Sequence, residues 1–477
     1  MTAVPTKETV NSKIAAFICD FDEKKLPALT VTNAISAILD TLAVTAAGRA
    51  EDSVRALENA LPVIAGSGIG DKSSHHKTWR DDDAALLLGT ASHVLDYDDV
   101  SMVTVCHPSA PVLSAMCAAI CYGDGSLKPT GREFIAALCI GTEVLIRIGQ
   151  AMGFRHYELG FHPTATLGNI GAAAAIACLS GLGRERTAHA LSIAASMSGG
   201  LRSNFGSMVK PLHVGLAAAN GLRAVQLARA GVTGAADIFE GSGFLYAFSG
   251  GETEAWPAHV ELGLPFVLES PGFEQKRYPC CYILHKIIEA SVALRNEHGL
   301  QLDNIMSARV ELPHGGKRPL NHPFPKTGLN GKFSTPYAVI ASVVDGRINL
   351  ASFLDEAVLR PEIQRRLADV EVVEVGAASN EGSDLGNGPV TVALTLSGGK
   401  VVSKTITLAP GSPADPITPA QMEQKWMDCF AIGRPQIGRT AAKNLFAEGG
   451  RLDGAASVVE WLTSVCEQNL PSLKQAA

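Results

Sequence analysis

The run TATLGNIGAAAAIACLSGLG, Thr164–Gly183, carries no charge across its 20 residues, and its reading decides the fold. Twenty apolar residues are enough to cross a bilayer. Alanine and glycine supply little transfer energy, however, and basic residues follow at once in GRERTAHA. The run therefore predicts a fully buried central helix. Its small residues let neighbouring helices approach closely.

Working outward, apolar residues at three- and four-residue spacing predict helices over Val31–Gly48, Asp83–His93, Ser114–Tyr122 and Arg132–Met152. Leu61–Lys77, rich in Gly and Ser, reads as a surface loop. The chain has 477 residues, which exceeds what one core usually serves, so two domains are expected. Its hydrophobic content of 46 % with only 6 % aromatic residues suits packed helices. After Leu262 Gly and Pro rise, Ala falls and the periodicity changes to two. Met306–Leu312 alternates as a strand, and Val390–Leu396 with Val401–Leu408 reads as a hairpin across Ser397–Lys400. Helical segments are expected at about Cys281, at Pro336–Val344 and at Leu350–Asp355. Thr418–Gly433 and Gly454–Gln468 read as helical again. The expected fold is mainly α: an all-helical domain from residues 1–268 and 425–477, with a smaller α+β lid domain, 269–424, inserted into it.

A net charge of −7 without a basic run argues against a nucleic acid or an anionic membrane as partner. The ten cysteines are scattered through apolar surroundings, which fits reduced thiols rather than a disulfide framework. Cys280 and Cys281 are adjacent, not spaced C-x-x-C, and no second pair offers a zinc set. Neither a Walker A loop nor a dinucleotide G-x-G-x-x-G occurs. No metal or organic cofactor is implied. MTAVPTKETV lacks a basic region followed by an apolar run, so a cytoplasmic location is expected.

The densest chemistry lies in LDYDDVSMVTVCHP, Leu95–Pro108. The spacing suggests a helix end followed by a loop. Asp98 and Asp99 read as capping or turn-forming carboxylates, whereas Asp96 and His107 form a pair able to divide acid and base work. His162 precedes the central helix, where N–H groups and the dipole favour an anion. In GLRSNFGSMVKPLHVG, Arg202, Asn204, Lys210 and His213 stand among glycines as a plausible carboxylate clamp. Asp40, inside an apolar helix face, reads as a hydrogen-bonded structural acid. KRYPCCYILHK places Lys276 before Cys281, with His285 one turn further on the same face. Both cysteines read as buried small hydrophobes rather than nucleophiles. Tyr337 reads as a structural hydrogen bonder.

These blocks together carry a resemblance. L-D-[FY]-D-D followed by H-P-S, G-[FW]-H-P-T-x-[ST]-x-G, K-P-x-H-x-G, P-[CS]-C-Y-x-x-H-K and K-F-S-x-x-[YN]…D-G occur in order over residues 30–430. The sequence resembles the MmgE/PrpD family, which includes 2-methylcitrate dehydratases, cis-aconitate decarboxylases and iminodisuccinate epimerases. The resemblance implies a homodimer with an active site between its domains, acting without cofactor on a small anionic di- or tricarboxylate. It implies Asp96, His107, His162, Lys210, Lys276 and Tyr337 as catalytic residues. Arg202, Asn204, His213, Thr166, Cys281 and His285 follow as substrate-binding residues. A 2-methylcitrate dehydratase-like hydro-lyase is the first expectation and an iminodisuccinate-type epimerase the alternative, with a cis-aconitate decarboxylase and a non-catalytic helical scaffold as further alternatives. In animal-type decarboxylases an imidazole stands where this chain has Cys281, and a threonine where it has Val100.

Overall fold

Helices meet at backbone distance only where neither brings a side chain to the crossing, and this chain puts glycine at such points. Six long helices make up most of the first part of the fold: α1 (Ala28–Gly48), α2 (Asp81–His93), α3 (Ser109–Cys121), α4 (Gly131–Met152), α5 (Pro163–Leu179) and α6 (Val209–Arg229). The computed structural model describes residues 8–62, 64–65, 77–251, 261–376 and 388–466. The protein is mainly helical, with one four-stranded sheet and a two-residue strand pair among the described residues.

Where α2 crosses α6, a Cβ on Gly89 would lie 2.7 Å from the Cα of Gly215, and one on Gly215 would overlap the carbonyl of Leu86. Gly141 of α4 and Gly171 of α5 face each other in the same way. The two helices of the first crossing run antiparallel. Asp82 pairs with Arg223 and Asp81 bonds Gln226 at one end, while His93 meets Lys210 at the other. α5 starts at Pro163, whose fixed φ suits the first helical position, and is buried from Pro163 to Ala177. α1 and α4 are also long and apolar enough to cross a membrane, but 67 % and 89 % of their most apolar windows are buried.

The described residues form two hydrophobic cores. The first gathers Ile38, Leu87, Leu113, Phe134, Ile170 and Val225 from these helices, and Phe266 to Phe273 beyond them. Trp426 and Phe430 of α9 (Pro419–Gly433) join it, as does Leu462 of Val459–Cys466. The second is built on α7 (Ile283–His298), α8 (Thr335–Asp345) and a sheet of β1 (Ile305–Pro313), β2 (Val370–Val375), β3 (Val390–Leu396) and β4 (Val401–Ile406). The strand order is β2-β1-β3-β4. β2 is parallel to β1, with Ala308 opposite Val370, and the other pairings are antiparallel. Leu95 and Cys106 pack in the first core whereas Val100 and Met102 pack in the second. The acidic loop is thus stitched into both.

Several boundaries differ from expectation. α3 begins at Ser109, five residues early, because Pro111 falls within a first turn that needs no N–H from it. α7 starts at Ile283 rather than Cys281. Leu350–Phe353 is a single 3₁₀ turn capped by Asn349. Of Gly454–Gln468 only Val459–Cys466 is α-helical, and Gln468 lies outside the described residues. Most of the expected surface loop Leu61–Lys77 also lies outside them. Its ends pair Ile64 with Thr78 and Ala65 with Lys77.

Candidate active site

Asp96 follows the last turn of α2 with φ of +50°, a left-handed conformation rare for a residue with a side chain. This turn aims its carboxylate at two ammonium groups. Lys276 Nζ lies 2.8 Å and Lys210 Nζ 2.9 Å from the same oxygen, Oδ1. Lys276 also donates to the Asp96 carbonyl at 2.8 Å. Asp96 Oδ2 has no hydrogen-bond partner among the described residues. Asp96 is 3 % and Lys276 1 % exposed, so solvent screens these charges weakly. Burial opposes ionisation of Asp96, yet Lys210 and Lys276 hold its carboxyl well below the usual carboxylate range.

The two lysines respond differently. Burial lowers the Lys210 ammonium despite its neighbour Asp96. At Lys276 burial acts in the same direction, but Asp96 and Asp98 outweigh it and the pKa rises. Lys210 also faces the rings of Phe205 and Phe333, at 5.1 and 5.4 Å.

Behind this triad sits a layer of imidazoles. His93 Nε2 is 2.6 Å from Lys210 Nζ, and His93 Nδ1 is 2.9 Å from both oxygens of Asp98. An ammonium can only donate, so Nε2 carries a lone pair and Nδ1 the proton. His93 is therefore neutral, in line with a pKa lowered by burial to about 3. His107 Nδ1 lies 2.7 Å from the Asp99 carbonyl and 3.2 Å from Asp98 Oδ2, both acceptors. Its proton is thus also on Nδ1. This leaves the lone pair on Nε2, 3.8 Å from Asp96 Oδ1. Burial, with Lys276 and Lys210 adding, keeps the His107 pKa below the usual imidazole value. His162, the N-cap of α5, is 3.1 Å from His213 through their Nδ1 atoms. Burial first, then Lys210, holds His162 well below its usual range.

The structure thus brings together Asp96, His107, His162, His213, Lys210 and Lys276. Cys281 is near enough for Asp96 to act on it, and burial first, then Asp96, pushes its thiol up to about 11, so it is not a thiolate. The side chains of the other expected site residues have different partners. Tyr337 is wholly buried in the second core, and its hydroxyl donates to the Ser352 carbonyl. That matches the structural role its residue type suggested; among the described residues its hydroxyl makes no hydrogen bond to the cluster. The Thr166 hydroxyl is engaged by His156 Nε2 at 2.7 Å. Arg202 lies 4.3 Å from the Tyr157 ring centroid, and His285 Nε2 is 3.1 Å from the Tyr278 carbonyl. Arg202, Asn204 and His285 make no hydrogen bond or ion pair to the cluster among the described residues.

Two residues escaped the sequence reading. His93 looked like the end of a helix, and Asp98 like a cap. Asp98 is instead the buried anion shared by His93 and His107. Asp99 does act as a cap, accepting from the Ser109 N–H at 3.2 Å and from its hydroxyl. Among the described residues, His93, Asp96, Asp98 and His107 have ligand atoms within 4.8 Å of one another, the nearest approach to a metal set. Both His93 nitrogens and Asp96 Oδ1 are already engaged, and two ammonium groups sit where a cation would enter.

A mainly helical fold thus carries a buried carboxylate between two lysines, backed by imidazoles. Models of the MmgE/PrpD N-terminal domain and the MmgE/PrpD C-terminal domain match residues 12–256 and 278–443, and this chain belongs to that family. It is 31 % identical over 306 residues to a cis-aconitate decarboxylase of Mus musculus. It is 29 % identical over 298 residues to that of Homo sapiens. Each match covers 61 % of this chain and 60 % of the relative's own length. A cis-aconitate decarboxylase-like protein oryM of Aspergillus oryzae is 26 % identical over 441 residues, 87 % of this chain and 89 % of the relative.

Proposed function

We propose that this protein is a cofactor-independent lyase that moves a proton next to a carboxylate of a small di- or tricarboxylate, in the manner of a 2-methylcitrate dehydratase-like hydro-lyase. One observation carries the reading. Each lysine ammonium has three N–H donors, and the contacts seen use two of them: His93 and Asp96 Oδ1 for Lys210, and the Asp96 carbonyl and Oδ1 for Lys276. Each ammonium thus has one further donor to offer a substrate carboxylate. His107 Nε2, with its lone pair free, removes the neighbouring proton. The lysines then stabilise the negative charge that builds on the carboxylate at this buried, weakly screened position. Residues 269–424 serve as lid over the cluster, and the working form is a cytoplasmic homodimer.

Decarboxylation is the second reading, favoured by the names of the mouse, human and Aspergillus relatives. Against it stands Cys281, an uncharged thiol beside the cluster where animal-type decarboxylases carry an imidazole. Epimerisation is supported by the P-C-C-Y-x-x-H-K block, similar to that of iminodisuccinate epimerases. Incubation with a panel of di- and tricarboxylates in deuterated water separates the three. A new alkene supports the hydro-lyase, release of carbon dioxide the decarboxylase, and deuterium exchange without net conversion the epimerase. Silence across the panel rejects all three.

A further inference from the structure

Three consecutive main-chain carbonyls, those of Leu95, Asp96 and Tyr97, each accept a hydrogen bond from a different buried lysine. Lys332, Lys276 and Lys425 are the donors, each at 2.8 Å. Only Lys276 belongs to the cluster described above. Lys332 precedes α8 and is 4 % exposed; Lys425 lies on α9 and is 5 % exposed. Both lysines make a second contact of one kind. Lys332 Nζ donates to the Pro279 carbonyl at 2.9 Å, and Lys425 Nζ to the Lys276 carbonyl at 2.8 Å. Each therefore bridges the Asp96 turn to the segment that delivers Lys276 and Cys281. Lys425 is anchored in turn by Asp40 of α1 at 2.5 Å and lies 3.7 Å from the Tyr97 ring centroid. Lys332 lies 5.0 Å from the Phe353 ring centroid.

The central residue of this turn has the left-handed backbone already noted. Such a conformation persists only where its surroundings over-determine it. Three ammonium groups on three successive carbonyls are such surroundings, because carbonyls just beyond a helix C-terminus attract cations.

We infer that Lys332 and Lys425 are positioning residues. They hold the Leu95–Tyr97 turn in its left-handed form, and so hold the Asp96 carboxylate against Lys210 and Lys276. Neither touches the substrate. The inference rests on the reading of the cluster as the active site. It also assigns a role to Asp40, as the counter-charge that keeps Lys425 in place.

The test separates positioning from plain stability. Lys425→Met alone leaves the Asp40 carboxyl buried without its counter-charge and is expected to unfold early. The double variant Asp40→Asn/Lys425→Met removes both charges, and replacing a buried pair as a unit often costs little stability. Its unfolding midpoint is expected within a few degrees of wild type, while kcat/KM falls tenfold or more and a crystal structure shows Asp96 out of the left-handed region. Lys332→Met, whose ammonium makes no ion pair among the described residues although it offsets the charge of Glu51, is the second variant and carries the same expectation should the double variant not fold. Wild-type kcat/KM in a folded variant, with Asp96 still at positive φ, overturns the inference. Should the wild-type protein turn over no carboxylate, the proposed function fails, and the Asp96 backbone in the variant crystals still decides the positioning role.

Discussion

His93 Nε2 accepts a hydrogen bond from the Lys210 ammonium at 2.6 Å, so a neutral imidazole at the end of α2 sets the direction of a cation at the start of α6. His93→Phe leaves Lys210 without this acceptor and Asp98 with His107 as its remaining imidazole donor. The expected kcat/KM is about a hundredfold lower, in the range of about 1.5–3 kcal/mol for hydrogen bonds to charged groups. His93→Gln, which keeps an acceptor near the Nε2 position, is expected to recover part of the loss. Steady-state kinetics on both variants check this, and equal rates in the two would deny the contact a role.

Asp96→Asn and His107→Ala are both expected to abolish measurable turnover, but for different reasons. Asp96→Asn leaves two ammonium groups side by side without their counter-charge, a loss on the order of 3–5 kcal/mol for a broken buried pair. Its unfolding midpoint should fall by several degrees. His107→Ala removes the free lone pair, lowering kcat by roughly 10²–10⁴-fold with little change in the midpoint. Calorimetry beside the kinetics distinguishes the two outcomes.

Lys210→Ala is expected to weaken substrate affinity, because its third N–H is offered to the substrate. Lys276→Ala should lower both affinity and turnover, since Lys276 also holds the Asp96 carbonyl. Wild-type KM and kcat in either variant would remove that lysine from the site.

The pH dependence has a defined sign. His107 must be neutral to act as base, and its pKa is lowered from the usual 6.5. kcat/KM should rise with pH through a midpoint below that value. On the alkaline side Lys210 must keep its proton, and its pKa is lowered from the usual 10.5. As pH rises, the rate should therefore fall again with a midpoint below 10.5. The profile should survive exhaustive dialysis against a strong chelator. Activity that returned only with added metal would recast His93 and His107 as ligands.

Tyr337→Phe is expected to retain kcat/KM within about threefold and to lose roughly 1 kcal/mol of stability with its hydrogen bond to Ser352. A collapse of turnover in a stable variant would restore the hydroxyl to the chemistry.

The helices were readable because their apolar spacing reports burial directly, and α5 above all, where Ala and Gly announce close packing. The hairpin β3–β4 was likewise readable from Ser397–Lys400. The site was readable only in part. Asp96, His107, His162, Lys210 and Lys276 stand in blocks whose residue types already suggest anion and proton chemistry. His93 and Asp98 did not stand out, because a histidine in a last helical turn and an aspartate in a turn have ordinary local explanations. The role of His93 comes from Lys210, more than a hundred positions away, and that of Asp98 from the two imidazoles it joins. The carbonyls that Lys332 and Lys425 hold have no side-chain signature at all.

The crossing of α2 and α6 also acts as a gauge. Gly89 stands one helical turn before His93, and Gly215 a little over one turn after Lys210. A single methyl group at either position would wedge two backbones apart, and the nearest long-range contact to open would be the one between imidazole and ammonium. Alanine at these glycines would thus be read in an assay as active-site damage, although neither residue carries a reactive atom. The reach of His93 towards Lys210 is calibrated by two hydrogens.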